Sequence, residues 1–242
     1  MPHKRIENKI KKMLDYGIKE IVLSGVDIGA YNDDSFDLVD LCSSLLKILQ
    51  DKNARIRISS IEPNNVSDNL IDLIANANGK ICRHLHIPLQ SGSDKVLHEM
   101  NRHYNSYEFL NLVEKLREKI PTIALSTDII VGFPGETDKD FQDTYCLAEK
   151  CGFMKIHVFP YSIRQGTPAA SRKDQISDST KTKRAKILRD LSEKLAKNDL
   201  IKRHGIEELA LVESEYNCRT ESYFLINSPK DANVGDLIKV QL

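Results

Sequence analysis

The residues of this chain that could do chemistry fall in short polar clusters, each just after a β-branched run. The sharpest is Asp128-Ile-Ile-Val-Gly132-Phe-Pro134-Gly135-Glu136-Thr137, an apolar run entering a Gly-Pro-Gly turn and then a helix, with Thr137 and Asp140 spaced as a capping box. Glycines directly after a parallel strand either let a ligand approach the backbone or simply satisfy turn geometry. In His84-Leu-His86-Ile-Pro88-Leu-Gln90-Ser91-Gly92-Ser93 the histidines stand two apart and share a strand face. Such a pair either ligates a metal or stays neutral and hydrogen-bonded. Gln90, Ser91 and Ser93 offer short polar groups suited to a ribose or a carboxylate. Ser59-Ser60-Ile61-Glu62 and Ser24-Gly25-Val26-Asp27 repeat the arrangement. After Pro160 come Tyr161 and Arg164, the arginine being either a phosphate contact or the partner of a nearby acid. Clusters recurring in register after successive strands point to one ligand-binding mouth.

The elements that must position these clusters follow a βα alternation. Strand-like runs at Glu20–Leu23, Arg55–Ser60, His84–Leu89, Ala124–Val131 and Lys155–Pro160 alternate with amphipathic stretches at Leu38–Leu49, Leu70–Ala77, Tyr107–Lys119 and Asp140–Lys150. That spacing predicts an α/β fold with a parallel sheet, built like a crossover barrel. The chain opens on a helical stretch, Arg5–Tyr16, where a barrel normally opens on a strand, so the expected architecture is an incomplete barrel without its first strand. A long helix over Thr180–His204 carries Lys181, Lys183, Arg184, Lys186, Arg189, Lys194, Lys197, Lys202 and Arg203 against few acids. Its cations either track phosphates or form an ordinary solvated face. From Gly205 onward short alternating runs predict a small all-β element, acidic on balance, in which Tyr223 and Phe224 either stack bases or fill a core.

The 242 residues are 40% hydrophobic and 29% charged, with 35 basic against 35 acidic side chains, so global charge points to neither nucleic acid nor membrane. No apolar run approaches the roughly 20 residues of a spanning helix, and the basic start lacks the apolar stretch of a signal peptide. Cys42, Cys82, Cys146, Cys151 and Cys218 form no CxxC pair and are too few for a disulfide scaffold. These features predict a cytoplasmic protein with no membrane partner.

Five ordered motifs, SGVDIGAY, RIRISSIEP, HLHIPLQSGSDKVLHEMNRHY, TDIIVGFPGET and HVFPYSIRQGT, resemble the radical S-adenosylmethionine methylthiotransferase family, and within it the branch that methylthiolates threonylcarbamoyladenosine in tRNA. The resemblance runs from about Arg5 to the end of the chain. It implies residues 1–178 as a partial radical SAM barrel, 179–204 as a basic connecting helix and 205–242 as a short TRAM-like RNA-binding domain. It further implies S-adenosylmethionine as cofactor, 4Fe-4S clusters in a complete family member, and tRNA as partner through a modified adenosine of its anticodon loop.

Carried over residue by residue, the resemblance assigns Gly25 and Asp27 to the methionine end of the cofactor. Ser60 and Glu62 follow the third strand as cofactor-facing residues, His86, Gln90 and Ser91 follow the fourth near its ribose, Asp128 and Gly132 lie along its adenine, and Pro160 and Tyr161 at the closing rim. Arg164, Lys183, Arg184 and Tyr223 are the RNA-binding candidates. The chain departs from the family where chemistry is most demanding: no CxxxCxxC triplet occurs. The expectation is therefore an N-terminally truncated methylthiotransferase, inactive alone and not ligating a cluster itself, whose missing portion a separate N-terminal fragment could supply. Two other readings stay open. One is a non-catalytic module that binds nucleoside or tRNA; the other is a metal-dependent barrel hydrolase using His84, His86, His157 and Asp128. An open barrel edge also predicts poor solubility or association with another chain.

Overall fold

The computed structural model describes residues 1–242, which divide by their internal contacts into two compact units. The first comprises Met1–His86, Leu116–Ala124 and Arg203–Leu242; the second comprises Ile87–Lys115 and Leu125–Lys202. The fold is α/β.

The first unit opens with α1 (His3–Asp15), β1 (Glu20–Leu23), a small hairpin of β2 (Asn32–Asp33) and β3 (Phe36–Asp37), then α2 (Leu38–Leu49), β4 (Arg55–Ile58), α3 (Asp68–Ala75) and β5 (His84–His86). Asp37 and Asp40 build the capping box that starts α2, and Ser67 caps α3. β1 and β4 pair in parallel with Ile21 beside Ile56 and Leu23 beside Ile58, and β4 bridges in parallel to Ile81 and, through Ser60, to His86. One face of these strands packs Ile21, Leu23, Ile56 and Ile58 into a core with Leu41, Leu45, Leu49, Leu70, Ile71 and Ile74. The other face carries Glu20, Arg55 and Arg57.

The strands of the tail belong to this same unit. β8 (Glu207–Val212), β9 (Asn217–Thr220), β10 (Leu225–Asn227) and β11 (Leu237–Gln241) form an antiparallel sheet in the order β10-β9-β8-β11. Its own core is small: Ala210, Val212 and Cys218, with Ile226, Ala232, Ile238 and Val240 around them. Its larger attachment is polar. Arg55 donates to the carbonyls of Leu209 (2.6 Å) and Arg219 (3.1 Å), and Arg57 to those of Thr220 and Glu221 (both 3.0 Å).

The second unit holds α4 (Asp94–Glu99), most of α5 (Ser106–Lys119), nearly all of β6 (Ala124–Val131), then α6 (Asp138–Cys151), β7 (Lys155–Pro160) and α7 (Asp178–Lys202). β6 and β7 pair in parallel with Asp128 beside His157 and Ile130 beside Phe159. Thr137 and Asp140 form the expected capping box, and Gly152 closes α6 in the left-handed region at φ 57°. Leu188, Leu191 and Leu195 of α7 are buried, and Ser192 Oγ accepts the Ile156 amide at 2.9 Å. Two strands, β4 and β5, are shorter than the runs that suggested them: Ser59, Ser60 and Ile87–Leu89 lie beyond the strand ends, in the rim segments.

Candidate ligand groove

A cavity of about 620 Å³ opens within the second unit, at the C-terminal ends of β6 and β7. Gln90 forms part of its floor. The Gln90 amide donates to Asp128 O (2.8 Å), and Ile130 donates back to Gln90 O (2.9 Å), so the segment runs along β6. Gln90 itself sits at φ +65°, sparsely populated by non-glycine residues. Its neighbours hold it there. Leu89 N–H donates to Thr127 Oγ1 (2.8 Å), Tyr104 Oη donates to Pro88 O (3.0 Å), and Gly92 N–H donates to Thr144 Oγ1 (2.9 Å). A strained backbone so anchored presents the Gln90 amide to the cavity beside Asp128.

The apolar walls are Ile130, Phe133, Phe159 and Pro160. Tyr161 donates its amide to Val131 O (2.8 Å) and meets Phe133 edge-on at 5.3 Å, and its Oη is buried with no hydrogen-bond partner. A buried hydroxyl of that kind costs free energy until a ligand or water meets it. An amide and a carboxylate beside flat apolar walls suit a nucleoside: hydroxyls and base edges meet the polar groups, and the base meets the walls.

The turn after β6 is held by charge. Gly132, at φ +73°, donates its amide to Glu136 Oε2 (2.7 Å), which also accepts from Arg184 Nη1 (2.5 Å). Burial raises the Glu136 carboxyl above the usual range against the pull of the Gly132 amide and Arg184. At Gly135, φ +76°, a Cβ would sit 2.3 Å from Arg172 Nη2. Arg172 is gripped there by Asp174 (2.5 and 2.9 Å) and by Glu99 (2.6 Å), tying the segment after β7 to the end of α4.

Of the residues singled out from sequence, Gln90, Asp128, Pro160, Tyr161 and Arg164 line this groove. Gly132 and Ser91 do not. Gly132 lies under the stem of Lys181, and Ser91, fully buried, bonds Thr144 Oγ1 at 3.2 Å. Gly25 and Asp27 line a different cavity of about 350 Å³ in the first unit, with Ile10, Leu23 and Tyr31, and Asp27 accepts from Asn65 Nδ2 at 3.1 Å. Ser60 is exposed; Glu62 and His86 are half-buried, and the carbonyl of His86 accepts from the Ile61 amide.

Two RNA-binding candidates already have partners within the fold. Arg184 is 5% exposed and committed to Glu136 and Asp138, so its charge is spent inside the fold; Lys183 alone of that pair faces solvent. Tyr223, at φ +74°, stacks on His84 at 4.7 Å with the guanidiniums of Arg57 and Arg219 also near its ring, and remains 42% exposed. His84 is driven down to about 3 by burial and by neighbouring Arg57, so it stays neutral. No group of three or more His, Cys, Asp or Glu is placed to hold a metal, so the fold adds nothing to the metal-hydrolase reading.

The same placement bears on an iron–sulfur cluster, which needs several thiolates around one point. Four of the five cysteines are buried apart from any such group, and burial pushes the thiols of Cys42 and Cys82 up to about 12. The cysteines present do not fit a cluster. Sequence reasoning passed over Phe133, Phe159 and Glu99–Ala169 neighbours such as Met100 and Thr167, which line the groove. The alternation of His157, Phe159 and Tyr161 along one strand face was the available signal.

The model of the radical SAM superfamily matches residues 1–148. The chain belongs to the radical SAM superfamily, and its sequence kinship lies with the methylthiotransferases. It is 37% identical to a tRNA-2-methylthio-N(6)-dimethylallyladenosine synthase of Clostridium botulinum over 98% of this chain and 54% of the relative. It is 40% identical to the threonylcarbamoyladenosine tRNA methylthiotransferase MtaB of Bacillus subtilis over 87% of this chain and 47% of that one. The chain thus spans about half the length of the curated relatives it matches. Among solved structures, coproporphyrinogen III oxidase (HemN) of Escherichia coli aligns with a TM-score of 0.57 at 20% identity, covering 73% of this chain and 40% of that chain. That likeness concerns the fold alone. No helix is long and apolar enough to cross a membrane.

Proposed function

We propose that the chain carries the nucleoside-binding part of a cytoplasmic tRNA methylthiotransferase, of the branch acting on threonylcarbamoyladenosine, with an incomplete parallel barrel and a TRAM-like tail. The observation that carries this reading is the meeting of Gln90 and Asp128 with the apolar side chains of Ile130 and Phe133 in one groove. There the Gln90 side chain and Asp128 carboxylate hold the ribose and base edge of S-adenosylmethionine, and the apolar walls of Ile130 and Phe133 exclude water. When bound in a complete enzyme, the cofactor supplies a 5′-deoxyadenosyl radical; no step of that chemistry is assigned to the cysteines of this chain.

The test is calorimetric titration of the chain with S-adenosylhomocysteine, which needs no cluster to bind. Binding that weakens about tenfold in Asp128→Ala, the loss of one charged hydrogen bond, is the expected result. Absence of heat up to millimolar ligand, or an unchanged affinity in Asp128→Ala, would sink the reading.

A second reading, a nucleoside- or tRNA-binding module without radical chemistry, is favoured by one observation: the cysteines do not assemble. β1 pairs only with β4, and Val22 (54%) and Val26 (fully) are exposed beside it. An edge of that kind invites strand addition. Light scattering on the purified chain should show self-association that grows with concentration; a monodisperse monomer throughout would remove the argument for a partner at this edge.

A further inference from the structure

The groove has a second polar end beyond its floor. Along β7, His157 and Phe159 alternate with Ile156 and Val158, and Phe159 is left 51% exposed where it lines the cavity. Farther along the same wall stand Ser162, Arg164 and Thr167. Arg164 is exposed and its guanidinium enters no ion pair of the fold. The wall that carries it is held in place. Arg172 grips both Glu99 and Asp174 with its guanidinium 5.8 Å over the Phe133 ring, and Gln175 Nε2 donates to the carbonyls of Ala169 (2.9 Å) and Arg172 (3.2 Å). Gly135 N–H donates to Asp174 O at 3.0 Å, fixing the facing turn.

An exposed aromatic ring and an uncompensated cation on one rigid wall, outside a floor with its own polar set, match the two halves of a nucleotide. Rings stack on bases of any sequence, and a free guanidinium takes phosphate. We propose that the outer half of the groove is a second nucleotide subsite, in which Phe159 stacks on a base of looped RNA and Arg164 holds an adjoining phosphate. The proposal rests on the tRNA-modifying reading above and names the residues by which the RNA, rather than the cofactor, is held.

The chain has no tryptophan, so Phe159→Trp introduces a single indole at the subsite. The probe is a short RNA hairpin with adenosine in its loop, compared with the same hairpin lacking that base. The expected result is indole quenching by the first hairpin and none by the second. Phe159→Ala should weaken hairpin binding about tenfold, and Arg164→Ala should weaken it and lower the salt slope by about one. Hairpin binding without quenching, equal quenching by the base-less hairpin, an unchanged salt slope in Arg164→Ala, or no hairpin binding at all would each overturn the subsite. S-adenosylhomocysteine titrated into the same preparations separates the two ideas. If it binds while the hairpin fails, the outer subsite falls and the floor stands; if the hairpin quenches while it does not bind, the floor reading falls and the subsite stands.

Discussion

Glu20→Gln is expected to destabilise the chain by about 3–5 kcal/mol, the cost of leaving buried charge uncompensated. Glu20 sits at the start of β1 and accepts from Arg55 Nε (2.7 Å) and Arg57 Nε (2.8 Å). The two arginines are 0% and 3% exposed, and apart from Glu20 the bonds of their guanidiniums named above are to backbone carbonyls of the tail. A neutral amide at position 20 therefore strands two cations away from water. The pH dependence gives a second signature. Burial by itself would raise the Glu20 carboxyl, but Arg57 and Arg55 more than reverse this and hold it below its ordinary 4.5. A carboxyl depressed in the folded state contributes stability that is fully present above about 4.5 and is lost as pH falls through the lower folded value. Urea midpoints measured from neutral to acid pH should fall on the acid side in the parent chain, and start lower with less slope in Glu20→Gln. Equal midpoints in the two proteins would show that this network contributes nothing.

Gly92→Ala should cost about 2 kcal/mol, roughly 4–8 °C in Tm for a chain of this size, and should weaken ligand binding with it. A Cβ at Gly92 would lie 2.5 Å from Thr144 Cα and 2.9 Å from Asp143 O. Those are backbone atoms of α6, which cannot rotate aside, so the loop or the helix must move. The loop carries Gln90 in its left-handed conformation two residues earlier, and the amide that Gly92 gives to Thr144 Oγ1 is one of its anchors. Because the clash is with backbone, pairing the change with Thr144→Ser should not restore Tm. Thermal melts of the single and double variants decide it: an unshifted Tm, or full rescue by Thr144→Ser, would show that the contact is side-chain packing alone.

Much of this arrangement was legible before the fold was known. The βα alternation placed all five parallel-type runs, and Leu38–Leu49 is a helix over the very residues its periodicity marked. What escaped was short or tertiary. The β2–β3 hairpin turns on Asp34 and Ser35, both at positive φ, where asparagine–glycine would have announced it, and α4 is too brief for a helical period to register. Gln90, Asp128, Pro160, Tyr161 and Arg164 fall on one groove because position after a strand end is a local property. The packing of Ser91, Arg184 and Tyr223 was not legible, because a partner 48 residues away, as Glu136 is from Arg184, leaves no trace in local pattern. The basic character of α7 showed in sequence, but which cations turn inward did not: Lys181 and Arg184 are buried while Lys183 is exposed.

The tail's grip on β4 also sets an order of events in synthesis. Arg55 waits for a carbonyl 154 residues downstream, and Arg57 for one 163 residues downstream. At about 5–20 residues per second a ribosome needs roughly 8–30 s to deliver those acceptors. The second unit lies wholly before them and can consolidate first, its β6–β7 pair and α7 being close in the chain. The first unit closes last, through its most non-local contacts, the kind that slow folding most. For that interval the nascent chain carries two guanidiniums on an open strand with Glu20 as their only matched acceptor, and chaperone dependence in the cell should track the arrival of Arg203–Leu242.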